Sequence, residues 1–307
     1  MTMRTLVIVS ALLWGFATAL PAQTLTGQLH AVTVVRGDTL RSLGSRFGVD
    51  SATIARDNGR PVDAPLRVGE TLSIDNRHIA PPVPAGVTLI VNVPQRMLFA
   101  TTSSGLSAYP VAVGRRDWKT PLGEFSIAAK EVNPTWDVPD SIREEARRAG
   151  RWLPLKVPPG PSNPLGAYWL GLSVGGVGIH GTNAPTSIYQ VTTHGCVRLH
   201  PDDIAALFGQ VSVGARGVLL YQPVLVAIHG ESVFVEAHRD IYRRGPADAL
   251  RFVRERAYEL GVFERVDWER AAAVIDERAG IARPVSRAVS FPSGAVSPLS
   301  YMSHPAR

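Results

Sequence analysis

The sequence predicts an α+β protein: a mainly-β central domain, preceded by a small βααβ module and followed by an α/β extension. Three observations carry this. The 28 glycines and 24 prolines supply turns at a density that suits many short strands rather than a helical bundle. Val87–Asn92, Met97–Thr101 and Tyr109–Val113 are short extended runs separated by turn residues, the spacing of a meander. Apolar residues at helical spacing mark the flanks, at Leu40, Leu43 and Phe47 and again at Leu250, Val253, Ala257 and Leu260. The chain has 307 residues, 45% of them hydrophobic, enough to bury a core in two domains or in one with additions.

The first 22 residues read as a targeting segment. Arg4 precedes an apolar stretch from Leu6 to Leu20, and small residues close it at Ala17, Ala19 and Ala22. A charged start, a short apolar core and a small-residue exit describe a secretory signal peptide, cleaved after Ala19 or Ala22. The alternative is an uncleaved anchor, but the run is about 15 residues where a spanning helix needs about 20. No cysteine stands there for lipidation. The expectation is an exported protein of the periplasm or cell envelope. The formal net charge of +6 is modest and much of it is Arg in the last third. No basic-aromatic motif accompanies it, so no nucleic-acid partner is expected.

Residues 30–75 read as a compact unit. Val32–Val34 is strand-like, and Gly37-Asp38-Thr39 turns into a helix from Leu40 to Phe47. Asp38 or Thr39 is placed to cap its start and Gly48 to stop it. A second helix, Ser51 to Asp57, ends at Asn58-Gly59, and Leu72-Ser73-Ile74 returns as a strand. Residues 76–86, with Pro81-Pro82 and Pro84, have the composition of a semi-rigid linker.

From Val87 to about Gln222 the meander continues through Thr120-Pro121-Leu122-Gly123-Glu124-Phe125, a Pro-Gly turn entering a strand. Residues 133–166 are irregular apart from a charged helix, Ser141 to Gly150; a loop this long inside a domain is usually a lid or binding loop. Trp136 and Trp152 lie in it, where they serve either packing or substrate contact. Leu170–Val174 and Val177–His180 read as strands, and Thr193–Leu199 as another extended piece. A short helix opens at Pro201 with acids in its first turn, His200 being only the residue before it. Gly217–Tyr221 closes the sheet.

The one cysteine of the chain, Cys196, follows His194 by two residues and His180 by sixteen. A lone Cys is often a buried structural residue. In an exported protein, however, a structural Cys would ordinarily have a disulfide partner, and this chain contains none. The chemical reading is a nucleophile, whose thiol needs a nearby base. The residues alone leave both histidines open as that base. If Thr193–Cys196 is extended, His194 shares a face with Cys196 but sits ~7 Å away, too far for a direct bond. A base from a neighbouring strand comes closer, which favours His180. Gly195 leaves room for substrate, and the N–H groups around Gly195 and Cys196 are candidate oxyanion donors. Arg198 is placed either to pair with a substrate carboxylate or to form a structural salt bridge. His180, His194 and Cys196 number three potential zinc ligands, but no further acid or His spacing completes a site. No metal or cofactor is expected.

Two resemblances organise these residues. Residues 30–75 resemble a LysM module through Val34, Gly37-Asp38-Thr39-Leu40, Phe47-Gly48-Val49, Asn58, Leu66, Gly69 and Leu72-Ser73-Ile74. His30 stands where an aromatic often sits. The resemblance implies binding of N-acetylglucosamine-containing glycan, with Gly37, Asp38, Thr39 and Asn58 as the residues carried over. Residues 87–222 resemble the YkuD-type L,D-transpeptidase catalytic domain through His180-Gly181-Thr182, Thr193-His194-Gly195-Cys196-Val197-Arg198, the Thr120–Phe125 turn and the Pro158–Gly166 loop. That resemblance implies Cys196 as nucleophile, His180 as base oriented by the Gly181 carbonyl, and peptidoglycan stem peptide as substrate. Thr193, His194 and Arg198 then border the substrate. Tyr189 stands where many members carry Gly, and is expected to narrow the pocket or alter its loop. The acceptor implied is a stem amine, a wall-attached lipoprotein, or water. An NlpC/P60-type endopeptidase would place its nucleophile before its His, the reverse of the order here; a non-catalytic wall-binding protein is the other alternative.

Val224–Ile228 and Ser232–Ala237 read as a hairpin, followed by helices over Ala247–Leu260 and Trp268–Ala279; similar tails follow the catalytic domain in some members of the family it resembles, which implies that 223–283 is an extension packed on that domain. Residues 284–307, rich in Ser and Pro, have the composition of a disordered end.

Overall fold

The computed structural model describes residues 23–287; the targeting segment and residues 288–307 lie outside them. The N-terminal module contains β1 (Thr24–Thr26), β2 (Leu29–Thr33), α1 (Leu40–Phe47), α2 (Ser51–Asp57) and β3 (Thr71–Asp75), with β4 (His78–Ala80) following. Helix α1 starts where its cap dictates: the Ser42 N–H donates to Thr39 Oγ1 at 3.0 Å while the Thr39 N–H donates to Ser42 Oγ at 2.9 Å. It ends at Gly48, whose φ of +71° is the left-handed stop that favours glycine. Leu40, Leu43, Ile54, Leu72 and Ile74 form its core together with Ala279 and Ile281 from the far end of the chain. The module is therefore completed by the C-terminal extension rather than standing by itself.

Residues 76–86 are not the free linker their prolines suggest. Strand β4 pairs with β1 in the register Leu25↔Ile79, and His78, Ile79 and Ala80 are all buried. Composition misses this because what packs against the segment, Leu225, Ala227, Phe234 and Ala282, is remote in sequence.

The catalytic-type domain holds β5 (Leu89–Asn92), β6 (Met97–Thr102), β7 (Gly105–Gly114), β8 (Gly123–Val132), β9 (Trp136–Asp137), α3 (Asp140–Arg148), β10 (Lys156–Val157), β11 (Tyr168–Leu172), β12 (Gly178–His180), β13 (Val191–Thr193), β14 (Val197–Leu199), α4 (Pro201–Gln210) and β15 (Arg216–Leu220). Nine strands run in the order β13-β7-β14-β12-β11-β8-β15-β5-β6, and β6 also pairs with β7, so the sheet closes on itself and leaves few free edges. Alternating residues Leu89, Val91, Leu98, Val111, Val113, Ile127, Leu170, Ile179, Val197 and Leu199 fill the interior, joined by Ile204 and Leu207 of α4. With Ile179, Val197 and Leu199 inward, the period of two turns His180, Arg198 and Cys196 to the opposite face.

The extension holds the hairpin β16 (Val224–His229) and β17 (Ser232–Ala237), helices α5 (Ala249–Glu259) and α6 (Trp268–Glu277), and β18 (Ala282–Pro284). Asp248 and Asp267 cap the two helices by accepting from Arg251 N–H and Arg270 N–H at 2.9 and 3.0 Å. Val285 is fully buried, so the tail is anchored at that residue, contrary to its composition; the tail beyond residue 287 lies outside the described residues.

The three parts meet on one buried carboxylate. Glu236 Oε1 accepts from His78 Nδ1 at 2.8 Å, Gln95 Nε2 at 2.9 Å and His238 Nε2 at 2.8 Å, and its Oε2 accepts from the Ile79 N–H at 2.5 Å. Burial alone would push this carboxyl up, but His78 and His238 hold it down at about 2.

Candidate active site

Strands β12 and β14 lie side by side and parallel, with Ile179 level with Val197 and His180 level with Arg198. One step back along the ladder are Gly178 and Cys196. A cavity of about 420 Å³ opens on this face, lined by Cys196, His180, Arg198, Thr193 and His194 from the sheet and by Glu145 from α3 above it. That volume suits a peptide segment.

His180 is buried, and its Nδ1 lies 2.7 Å from the Gly181 carbonyl oxygen. A carbonyl only accepts, so the proton is on Nδ1 and the Nε2 lone pair is free. Burial and then the Arg198 charge push the imidazole down to about 3, against the pull of the Gly181 and Leu165 carbonyls. The ring is held flat by Trp169, stacked at 5.6 Å between centroids and 26° between planes. The Trp169 indole covers Gly178, where a Cβ would come within 2.3 Å of the ring. Sequence reading missed Trp169; the signal was the register pair Gly171↔Gly178, two glycines making a floor for one large ring.

Residues Thr193–Cys196 are not one extended run. Strand β13 stops at Thr193, the chain turns at Gly195 with φ +112°, and β14 begins at Val197. Thr193 Oγ1 donates to the Cys196 carbonyl at 2.6 Å and accepts from the Gly195 N–H at 3.2 Å. Two expectations change. The Gly195 N–H is spent on Thr193 and is not a free oxyanion donor, and Thr193 is first a brace for the turn. Burial pushes the Cys196 thiol up, opposed by the Gly178 backbone and Arg198. Near neutral pH the cavity is thus lined by an uncharged thiol and an uncharged imidazole.

His194 points to the lid rather than to the thiol. Its Nε2 lies 2.9 Å from Glu145 Oε2, its ring meets Trp118 edge-on at 5.1 Å, and Arg115 Nη2 donates to both Glu145 oxygens at 2.6 Å. Arg115 and then His194 hold the Glu145 carboxyl below the usual range. Helix α3 is thereby clasped over the cavity. Trp136 lines the cavity, whereas Trp152 is 83% exposed.

Arg198 donates from Nη1 to Ser187 Oγ at 3.0 Å, while its buried Nε has no partner. No carboxylate pairs with it among the described residues, so the salt-bridge alternative falls away. Tyr189 does not narrow the pocket. It is fully buried, its hydroxyl donates to the Gly280 carbonyl at 3.0 Å, and the Arg96 guanidinium lies 3.9 Å over its ring. Its φ of +61° is one that glycine adopts without strain.

In the N-terminal module most of the residues carried over by resemblance serve internal structure. Asp38 accepts from the Val35 N–H at 3.0 Å and from Arg46, and Thr39 caps α1. The Asn58 amide donates to the Ile54 and Ser73 carbonyls and accepts from the Ser73 N–H, each at 2.8 Å. Asn58 is thus a brace between α2 and β3, not a free sugar contact. Gly37 remains exposed, with Val35, Val62 and Val68 at 56%, 55% and 70% on the surface.

The family model of the L,D-transpeptidase catalytic domain matches residues 86–226 and that of the LysM domain residues 32–75. The probable L,D-transpeptidase ErfK/SrfK of Escherichia coli K12 is 32% identical over 278 residues, 85% of this chain and 87% of that one. The probable L,D-transpeptidase YbiS of the same strain is 31% identical over 224 residues, 71% and 72% of the two chains. The putative L,D-transpeptidase YkuD of Bacillus subtilis 168 is 29% identical over 183 residues, 60% and 94%. The first of these alignments is longer than the catalytic domain and so takes in flanking chain as well as the His180–Arg198 motif: the protein belongs to the L,D-transpeptidase family.

Proposed function

We propose that Cys196 is the nucleophile of an L,D-transpeptidase acting on peptidoglycan stem peptides, with His180 as its base. The carrying observation is the pinned imidazole: Nδ1 is committed to the Gly181 carbonyl, which leaves Nε2 as the ring's acceptor, and His180 and Cys196 line the same cavity. Because both groups are neutral at rest, the thiol proton passes to Nε2 as the sulfur attacks. The Sγ–C bond forms at the carbonyl of the third stem residue, the C–N bond to the terminal D-alanine breaks, and the imidazolium proton leaves on that amine. An acceptor amine of a second stem then attacks the thioester, giving up its proton through His180 to the departing sulfur. Arg198, uncompensated by any carboxylate among the described residues, holds a stem carboxylate.

The LysM module would keep the enzyme on the glycan through its exposed Gly37 loop, and residues 1–22 would direct export to the periplasm or envelope. A wall-attached lipoprotein is a further acceptor of the same chemistry. Incubation with a stem tetrapeptide should give an acyl-enzyme mass increment on the peptide containing Cys196 and release D-alanine. Full activity in Cys196→Ala would overturn the assignment. Failure of the protein to pellet with purified sacculi would overturn the anchoring role.

A further inference from the structure

Residues 185–189 lie between the two halves of the active-site motif, and they are gripped from outside the catalytic domain. Arg41 on α1 of the LysM module donates from Nε to the Thr186 carbonyl at 3.2 Å. One residue on, Ser187 Oγ donates to the Ala184 carbonyl at 2.6 Å. Its proton is thereby committed, and its lone pairs receive Arg198 Nη1 at 3.0 Å. Two residues further, the Tyr189 carbonyl accepts from Arg96 Nη1 at 3.0 Å. Arg96 in turn forks onto Asp50, at the start of α2, through two bonds of 2.9 Å. Burial would raise the Asp50 carboxyl, but Arg96 pulls it below its ordinary value. Gly280 closes the far side: a Cβ there would meet the Tyr189 hydroxyl at 3.3 Å and Asp50 Oδ2 at 3.5 Å. A module serving only as a tether has no need of a partly buried, two-bond ion pair with its neighbour.

We propose that Arg41 and Asp50 of the LysM module are positioning residues of the transpeptidase, fixing 185–189 so that Ser187 aims the Arg198 guanidinium into the cavity. This rests on Arg198 as the carboxylate-binding group. Among the described residues Arg198 has no counter-ion to fix its rotamer, and Ser187 is the one hydrogen-bond partner of its side chain. Ser187 can serve only if the short turn Pro185–Ser187 stays where Arg41 holds it. Releasing the turn returns rotamer freedom to Arg198, and that freedom is lost again on binding substrate. Neither Cys196 nor His180 hydrogen-bonds to the turn, and the Arg198 charge that acts on both is retained, so the effect belongs chiefly in KM.

The test uses the full chain and a glycan-free stem tetrapeptide, so that sugar binding by the module cannot contribute. Arg41→Ala, at an exposed position, should raise KM about 3- to 10-fold with kcat changed less than about 2-fold. Ser187→Ala should do the same. The double variant should be no worse than the more impaired single, because both break one chain of contacts. An unchanged KM in Arg41→Ala, or effects that multiply in the double variant, would overturn the proposal. Failure of the parent reading looks different: Arg198→Ala would then leave KM unchanged, or Cys196→Ala would stay active. Asp50→Asn provides the second grip, expected to raise KM while the alkylation rate of Cys196 by iodoacetamide holds; a change in kcat alone would count against it.

Discussion

His180 Nδ1 lies 2.7 Å from the carbonyl oxygen of Gly181, its neighbour in the chain. That contact decides which ring nitrogen carries the proton, and burial together with Arg198 keeps the ring uncharged down to about pH 3. The acid limb of the pH–rate profile therefore does not come from His180 in the physiological range.

The thiol gives the first prediction. Burial raises the Cys196 pKa and Arg198 opposes that rise, so the resting thiolate fraction at pH 7 is below that of free cysteine. Alkylation by iodoacetamide at pH 7 should be slower than for a free thiol and should still be climbing above pH 8.5 or so. Removing the cation in Arg198→Gln raises the thiol pKa further, so alkylation at fixed pH falls, by roughly 3- to 10-fold. A plateau in alkylation rate near pH 7 would mean a preformed thiolate and refute the neutral resting pair.

Separating the histidines is the second prediction. His180→Ala should lower the acylation rate by about 10²- to 10⁴-fold, the range of a lost general base. His194→Ala should act chiefly on KM, because its ring is bonded to Glu145 rather than to the Cys196 thiol. Single-turnover acylation measured on both variants checks this, and a loss confined to His194→Ala would reverse the assignment.

Much of this site is legible in the sequence because its chemistry is local. His180-Gly181 contains both the imidazole proposed as base and the carbonyl that orients it, and Cys196 is the only thiol. The strand period also carries Cys196 and Arg198 to one face. The failures have a common physical origin in contacts between distant segments. An extended Thr193–Cys196 was reasonable until Gly195 took φ +112°, and that turn consumed the N–H expected for the oxyanion. Tyr189 reads as a pocket residue from its place in the motif, yet its partners Arg96 and Gly280 lie 93 and 91 residues away. Asn58 reads as a sugar ligand, but its amide is consumed by two carbonyls and an N–H of its own module. The linker and the start of the tail pack for the same reason.

The lid clasp gives the third prediction. Glu145 joins α3 to His194 and Arg115, and these groups are partly exposed, so salt screens them. Glu145→Gln should raise KM for a stem peptide about 2- to 5-fold at low ionic strength. In the unsubstituted protein KM should climb with added salt, and in Glu145→Gln that dependence should flatten. Equal salt dependence in both proteins would show that the clasp does not govern entry.

Stability against pH gives the last. His180 and His238 are both buried with pKa values pushed below the ordinary 6.5, principally by burial. In the unfolded chain each takes up a proton near pH 6.5, while the folded chain resists. The unfolded state thus binds more protons below that point, and the stability these residues allow is complete above pH 6.5 and lost as the pH falls. For His180 the loss continues toward pH 3, with a slope of about 1.4 kcal/mol per pH unit. Glu236 is depressed to about 2, so its contribution persists until the pH drops below the unfolded glutamate value and disappears toward pH 2. Urea denaturation from pH 8 to pH 4 should show stability declining below pH 6.5, with a shallower decline in His238→Asn. At pH 7, Glu236→Ala leaves His78, Gln95, His238 and the Ile79 N–H without their shared acceptor, and should destabilise the protein by about 3–5 kcal/mol. Because that acceptor joins all three parts of the chain, the loss should appear as earlier unfolding of the LysM and catalytic domains together. Independent LysM melting in the unsubstituted protein would show that the junction does not couple them.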